Sequence, residues 1–339
     1  MTYFVGIDTA SASFVAAVFT RPDRPTHGPK SFSNDAEGFA AFHDWLQERD
    51  LPKDEAFICL ENTGVYSEAL CYTLEGQGFT LALLHPRAVW KAFDDPRKSD
   101  ERDSQKIAEY GYRYHDRLEP WHPHEAVVEQ IKTLLSTREQ LVEQKTATTN
   151  IRQALGRKAI QTPASNEALD ATTDHLKAQI QAIEAAIRDL IKAHPTMAQM
   201  VALLVSAPGV GLLLAAHMLV LTEGFSKPPR YRKLASYLGI CPNKDQSGTW
   251  QPTPTSRGYG PPMMRKLLHL AARSVRTHEA RFRTYFHRKQ AEGKDTMLIL
   301  NNIANKLLRV LCGMIRNKQP YIADYQSVHP RLLQPGTRS

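Results

Sequence analysis

Four acidic residues occupy positions from which their carboxylates could bind a divalent metal ion. Asp8 lies in the first apolar strand, and Glu61 ends a second, continuously apolar strand. Asp100 and Asp103 are three residues apart in a predicted helix, so they would share one face. Hard oxygen ligands suit Mg²⁺ or Mn²⁺, and two such ions can act on a phosphodiester. Each residue alone also fits a structural role, as a helix cap or a turn residue.

A serine in a long loop could attack a phosphodiester. The loop from Cys241 to Pro262 is rich in Pro, Gly, Ser and Thr, and Ser256 stands near its end, followed by Arg257 and Arg265. Nearby cations would stabilise the charge that develops on the phosphate. Serines in such loops are more commonly turn residues, and Ser247 is a second, weaker candidate.

Two further features of the C-terminal half suggest phosphate binding. Gly209 and Gly211 separate two apolar helices in a pattern similar to a helix–hairpin–helix, in which backbone N–H groups approach a phosphate. An ordinary turn between helices explains the same glycines. Basic residues follow at helical spacing, and the aromatics among them could stack on bases or belong to the core: Arg265, Lys266, Arg273, Arg276, Arg281, Phe282, Arg283, Tyr285, Phe286, Arg288 and Lys289.

The charge is divided between the two ends of the chain. Residues 1–110 hold 11 Lys and Arg against 18 Asp and Glu, a net charge of −7. Residues 227–318 hold 19 against 4, a net charge of +15. The basic segment predicts a polyanionic partner, for which nucleic acid is the leading candidate, although a solvated basic face is the simpler alternative.

The pattern of elements predicts an acidic α/β domain followed by helices. Strands alternating with helices indicate a mixed sheet as far as about residue 120. In the next region Leu176, Ile180, Ile183, Ile187 and Leu190 are spaced as in a coiled coil, and a plain two-helix hairpin is equally consistent with them. The predicted domains are residues 1–120, a helical connector over 121–195, a mainly α domain over 196–325 and a tail over 326–339.

Composition excludes two classes of protein. No stretch approaches about 18 consecutive apolar residues, and the N-terminus lacks the pattern of a leader peptide, so we expect no membrane association. Four scattered cysteines without a CxxC pair predict neither a disulfide framework nor a cysteine-based zinc site. The expected location is the cytoplasm.

Taken in order, the motifs resemble the IS110 family of insertion-sequence transposases, which are relatives of the Piv DNA invertase. The similarity spans roughly residues 3 to 280. It rests on these segments: Val-Gly-Ile-Asp8-Thr-Ala, Leu60-Glu61-Asn-Thr-Gly, Lys98-Ser-Asp100-Glu-Arg-Asp103-Ser, Ala-Pro-Gly-Val-Gly211, Leu238-Gly-Ile-Cys-Pro242 and the block from Ser247 to Arg265.

The resemblance implies an RNase H/RuvC-like N-terminal domain with a DEDD tetrad that binds metal, a coiled-coil connector, and a C-terminal domain with a catalytic serine. It also implies recombination of donor and target DNA guided by a structured bridge RNA. The protein would act as dimers that pair into tetramers, with composite sites between subunits. Two departures stand out, since Ser104 replaces the usual Ala and the spacing from Ser256 to Arg265 is unusual.

Two other functions are consistent with the same residues. One is a metal-dependent nuclease that cleaves DNA junctions with the four carboxylates alone. The other is an inactive relative that binds DNA or RNA. An essential serine would exclude the first, and strand cleavage with Mg²⁺ would exclude the second.

Overall fold

The structure is a computed structural model that describes residues 3–21, 24–62, 64–93, 99–226, 230–243, 255–256 and 260–323. The chain divides into two compact units, Met1–Pro123 and His124–Ser339. Each unit is described by itself. The finer division into a connector, a third domain and a tail stays a prediction.

The first unit is a five-stranded sheet with helices on both faces. The strand order is β3-β2-β1-β4-β5, in which β1, β2 and β3 are antiparallel and β1, β4 and β5 are parallel. This topology confirms the predicted α/β fold of the RNase H/RuvC type for the N-terminal domain. Its elements are β1 (Tyr3–Thr9), β2 (Ser13–Arg21), β3 (Arg24–Ser33), α1 (Ala36–Gln47), β4 (Ala56–Glu61), α2 (Val65–Gly76), β5 (Thr80–Leu84), α3 (Pro86–Ala92) and α4 (Asp100–Tyr114).

The apolar strand β4 is buried along its length because helices cover both faces of the sheet. Ile58 and Leu60 face the core that includes α1 and α2, while Phe57 and Cys59 face the core that includes α3 and α4. Burial on both faces explains why this strand reads as a continuous apolar run rather than as an alternating one. Glu61, at its end, is only half-buried.

Two glycines allow α4 to lie directly on the sheet. A Cβ on Gly6 of β1 would collide with the carbonyl oxygen of Ser104 and the backbone nitrogen of Ala108. A Cβ on Gly111 of α4 would lie 2.7 Å from the Sγ atom of Cys59. Glycine is therefore required on both sides of this interface for the backbones to approach so closely.

The second unit is almost entirely helical. In the part of this unit that the structure describes, two long helices form an antiparallel hairpin, and six shorter helices pack around its base together with a two-stranded ladder. The elements are α5 (Ala126–Leu155), α6 (Pro163–Ala193), α7 (Pro195–Val205), α8 (Leu212–Leu221), α9 (Tyr231–Tyr237), β6 (Pro242–Asn243), β7 (Thr255–Ser256), α10 (Pro262–His278), α11 (Ala280–Ala291) and α12 (Thr296–Asn317).

The predicted helical seam lies inside this hairpin. Leu176, Ile180 and Ile187 are buried between α5 and α6 within one chain. An ion pair of 2.6 Å joins Arg138 of α5 to Glu184 of α6. Of the two arrangements that the sequence left open, the structure therefore contains the intrachain hairpin.

The described part of the chain has one helix, α12, that is long and apolar enough to cross a membrane by length and composition alone. Its apolar window is 56% buried inside the protein. Ile303, Leu307 and Leu311 are at most 1% exposed and belong to the main core of the second unit. The apolar character of α12 is accounted for by this packing.

Candidate functional site

Two of the predicted carboxylates come from neighbouring positions on parallel strands. The last paired residues of β1 and β4 are Ile7 and Leu60, and the next residue on each strand is Asp8 and Glu61 respectively. Adjacent strands lie about 4.8 Å apart, and side chains alternate between faces, so both residues lie on the face that packs against α4. Both are half-buried.

The direction of α4 brings its first turn toward the same end of the sheet. Gly111, near the C-terminal end of α4, contacts Phe4 and Cys59, whereas Ala108, one turn earlier, lies against Gly6. The helix thus runs antiparallel to β1. Its first turn, which contains Asp100 and Asp103, therefore lies toward the end of β1 that bears Asp8.

The side chains of that first turn have local partners. Ser99 caps the helix by accepting a hydrogen bond from the Arg102 backbone N–H at 3.3 Å. The Oδ1 atom of Asp103 lies 3.4 Å from Nζ of Lys106, and Asp100 is exposed. Among the residues that the structure describes, no three His, Cys, Asp or Glu side chains are close enough to hold a metal ion. The four-carboxylate metal site therefore stays a prediction. The backbones of the four residues lie toward one edge of the sheet, but their side chains do not form a cluster.

Ser104, which replaces the usual alanine, is fully buried against β1. Its hydroxyl donates a hydrogen bond of 2.8 Å to the Glu101 carbonyl oxygen one turn earlier. A buried hydroxyl that is satisfied within its own helix costs little. A serine at this position is therefore compatible with the close packing of α4 on the sheet.

The backbone of Ser256 is fixed in β7, whereas Ser247 and Arg257 lie outside the described residues, as does the side chain of Ser256. Ser256 pairs with Pro242 in the antiparallel ladder between β6 and β7. Gly260, at the end of the loop, has a φ of +92° and packs on the Tyr237 carbonyl at the end of α9. Both ends of the long loop are therefore anchored beside α9, and the backbone of Ser256 is held between them.

A cleft of about 310 Å³ lies between α10 and α12, where Gly239 and Ile240 lead into β6. Arg265 is half-buried and donates a hydrogen bond of 3.1 Å to the Gly260 carbonyl, and Asn301 donates one of 3.1 Å to the Ile240 carbonyl. The cleft is lined by Ile240, Arg265, Lys266, His269, Leu270 and Asn301. Most of its lining is apolar, and Arg265, Lys266, His269 and Asn301 provide the polar groups that could contact a phosphate.

Sequence reasoning missed two residues of this cleft. His269 lies one helical turn beyond Arg265 on α10, and that spacing could have identified it. Asn301 comes from α12, more than thirty residues further along the chain, and only folding brings it to the cleft.

The two glycines of the predicted phosphate-binding turn differ in their surroundings. Gly209 has a φ of +76°, and a Cβ there would lie 2.9 Å from the Ala271 carbonyl oxygen of α10. Gly209 is therefore required for packing within the unit. Gly211 precedes α8, and nothing in the described structure lies within 4 Å of the position of its Cβ. The nucleic-acid role of both stays a prediction.

Of the two roles that the sequence left open for the aromatic residues of α11, the phenylalanines have the role of core residues and not that of stacking on bases. Phe282 and Phe286 are 7% and 5% exposed and belong to the core. The guanidinium of Arg276 lies 4.6 Å from the centre of the Phe286 ring. Lys266 and Arg273 are exposed, so their predicted phosphate contacts stay open.

A half-buried acid–base pair joins α8 to the helical hairpin. His217 Nε2 of α8 is 3.5 Å from Glu139 Oε1 of α5. Burial, with a smaller effect of the Arg138 charge, lowers the pKa of His217 to about 4. Burial also raises the pKa of Glu139. The imidazole is therefore neutral at pH 7, as expected of a packing residue.

Comparison with known proteins identifies related sequences along most of the chain. Residues 5–158 match a family model described as an IS110 DEDD transposase, and residues 201–287 match one described as a transposase of the IS116/IS110/IS902 family. The pilin gene-inverting protein of Moraxella lacunata is 26% identical over 326 residues, covering 94% of this chain and 97% of that protein.

Two further similarities are more limited. An IS110 insertion-element protein of 43.6 kDa from Streptomyces coelicolor is 32% identical over 139 residues, covering 41% of this chain and 33% of that protein. Among solved structures, T. thermophilus RuvC in complex with a Holliday junction substrate matches with a TM-score of 0.27 and 16% identity, covering 36% of this chain and 100% of that one. The fold class of the first unit follows from its own strand order and direction.

Proposed function

The chain belongs to the IS110 family of transposases and is a DNA recombinase, and on that premise we propose that it cuts and rejoins donor and target DNA strands through a serine-linked intermediate. Ser256 would be the nucleophile. Asp8, Glu61, Asp100 and Asp103 would hold Mg²⁺. The first unit of one subunit and the second unit of another subunit would contribute the two parts of the reaction centre.

The observation that carries the proposal is the position of the acidic residues in the first unit. Asp8 and Glu61 are adjacent on parallel strands, and α4 runs back along β1 so that its acidic first turn faces that strand end. Carboxylate oxygens from separate segments are the donor set that Mg²⁺ prefers. When bound there, Mg²⁺ would supply Lewis-acid polarisation of the scissile phosphate. Loading it requires the Asp103 side chain to leave Lys106.

The serine step transfers one phosphodiester bond and then restores it. The Ser256 oxygen gives up its proton and forms a bond to phosphorus, while the bond from phosphorus to one deoxyribose oxygen breaks and that oxygen takes up a proton. Attack by a deoxyribose hydroxyl on the phosphoserine reverses the exchange and rejoins the strand. Arg257 and Arg265 would stabilise the added negative charge in the transition state. The cleft between α10 and α12 supports a phosphate contact by Arg265, because Arg265, Lys266 and His269 are among the residues that line it.

Guidance by a structured bridge RNA is a further part of the proposal. It is supported by the net charge of +15 over residues 227–318 and by the family resemblance. The same resemblance supports dimers that pair into tetramers, in which the carboxylates of one subunit act with the serine of another. A recombinase of this kind would work in the cytoplasm on nucleoid DNA.

The covalent intermediate provides the decisive test. The full chain, its element DNA, the structured RNA of the element and Mg²⁺ are incubated, the reaction is denatured, and DNA attached to protein is isolated and mapped by mass spectrometry. We expect attachment at Ser256, and Ser256→Ala should lose both the adduct and recombination. Ser247→Ala is the matched control from the same loop and should retain both.

Two results would contradict the assignment. An adduct mapped to Ser247 would show that Ser247, and not Ser256, is the nucleophile. Strand cleavage at the wild-type rate in Ser256→Ala, without any adduct, would instead indicate the nuclease that uses only the carboxylates.

A further inference from the structure

Trp90 on α3 is unusually exposed for its size. Its side chain is 67% accessible to solvent, although the preceding residue, Val89, is buried. Arg87 and Lys91 are also exposed. Arg87 is three residues before Trp90 and so lies beside it on one face of α3, while Lys91 is one turn after Arg87 on the adjoining side. A large aromatic ring is thus held on the surface next to two cations, in a part of the chain whose net charge is negative.

This face lies close in the fold to the carboxylate end of the sheet. Leu84, the last residue of β5, pairs with Glu61, and α3 begins two residues later. Val89 packs into the same core as Cys59 and Ile107, so α3 covers the face of the sheet on which Glu61 lies. Trp90 therefore belongs to the edge that bears the acidic residues.

A second exposed aromatic residue is fixed at this edge. Tyr66, in the first turn of α2, is 47% exposed. The Asn34 side chain donates hydrogen bonds of 2.8 Å to the Ala10 carbonyl and 2.9 Å to the Tyr66 carbonyl. The start of α2 is thereby tied to the turn that follows Asp8.

We propose that Trp90, flanked by Arg87 and Lys91, stacks on an unpaired base of the DNA strand that reaches the carboxylate edge. Every base has a π-face, so stacking holds a single strand without reading its sequence, and the two cations would contact the adjoining phosphates. Protein interfaces are enriched in Trp and Arg but depleted of Lys, so Lys91 is the residue of this face that favours a nucleic acid over a protein partner. The inference rests on the proposed strand cleavage and adds a site for unpaired DNA beside it.

The test uses the full chain in the presence of EDTA, with oligodeoxythymidine as the probe. Ultraviolet crosslinking followed by mass spectrometry should attach the probe to the peptide that contains Trp90. Trp90→Ala should weaken binding about 5- to 100-fold, the range typical of losing one stacked base. Trp90→Leu, which keeps an apolar side chain but lacks the ring, should weaken it similarly, and Trp90→Tyr should retain most of the affinity.

Three comparisons complete the experiment. Val65→Ala, at another exposed apolar residue of the same edge, is the control and should bind as the wild type does. A mixed-sequence duplex should show no dependence on Trp90. Glu61→Gln should bind the probe at least as tightly as the wild type but should not recombine DNA, which separates this site from the reaction centre.

The inference is overturned if Trp90→Leu binds oligodeoxythymidine as the wild type does and no crosslink maps to Trp90. It is also overturned, in favour of an RNA site, if oligouridine binds more than tenfold tighter in a manner that requires Trp90. Recombination by Glu61→Gln would contradict the proposed function. It would not contradict the inference about Trp90, which depends on the binding measurements.

Discussion

Gly6 of β1 lies against the backbone of Ser104 in α4, with no space for a side chain between them. This close contact between the two backbones fixes the distance of α4 from the sheet and the direction in which the helix crosses it. Because Asp103 directly precedes Ser104 and Asp100 lies about one turn before it, the same contact positions the backbones of Asp100 and Asp103 relative to β1.

Gly6→Ala should therefore separate α4 from the sheet. The added methyl group would collide with backbone atoms, which cannot rotate away, and such overpacking costs about 1–3 kcal/mol or more of unfolding free energy. We expect recombination to fall together with stability, as measured by urea unfolding. Gly76→Ala is the matched control. It ends α2 with nothing described within 4 Å of its Cβ position, so alanine should be neutral or stabilise by up to about 1 kcal/mol.

Replacing the carboxylates should separate function from stability. Asp8→Asn, Glu61→Gln, Asp100→Asn and Asp103→Asn should each abolish recombination while the urea unfolding free energy changes by less than about 1 kcal/mol. Neutral amides keep the shape of each side chain but bind Mg²⁺ poorly. In the wild type Mg²⁺ should raise the melting temperature, and in these variants it should not. A variant that melts early without Mg²⁺ would instead indicate a structural carboxylate.

Binding of DNA should depend steeply on salt, because neutralising phosphates releases counterions. Lys266→Gln and Arg273→Gln should each weaken binding at low salt and reduce the slope of log K against log salt by about 1. Both side chains are exposed, so unfolding should be unaffected. An unchanged slope in either variant would remove that residue from the phosphate-contacting set.

A structured RNA from the element should bind more tightly than a random DNA duplex of equal length at physiological salt. Charge alone cannot produce this preference, since both ligands are polyanions. Competition between the two labelled ligands measures it directly. Equal affinities would count against RNA guidance and would leave the basic segment as a general nucleic-acid surface.

The buried His217 should make stability depend on pH. In the unfolded chain the imidazole takes up a proton near pH 6.5, whereas in the folded protein burial holds its pKa at about 4. As pH falls between these values, the unfolded state gains a proton that the native state does not, so the unfolding free energy should decrease by up to about 3 kcal/mol.

His217→Gln should lose this part of the pH dependence of stability. The measurement is the difference between the unfolding free energies of the wild type and the variant, followed from pH 7 to pH 4. The raised pKa of Glu139 acts in the opposite direction, since the native state then binds a proton more readily than the unfolded state. His278→Gln, at an exposed position near the end of α10, should leave the pH profile unchanged.

The sequence alone was sufficient for the α/β class of the first unit, for the long helices and for the family. These depend on local pattern, such as the apolar run of β4 and the seam from Leu176 to Leu190, and on motifs that keep their order along the chain. The reason is that hydrophobic periodicity is set by which faces an element buries, and it is visible without the partner element.

Only the tertiary structure decided which residues meet. The basic cleft combines Ile240 with His269 and Asn301 from separate helices, and no spacing along the chain predicts that. The tertiary structure also shows that Gly209 packs on α10 and that Phe286 is buried. The sequence could not show this, because a glycine or an apolar ring looks the same in a sequence whether it faces a ligand or a neighbouring helix. Close packing between elements distant in sequence, rather than local preference, determines those contacts.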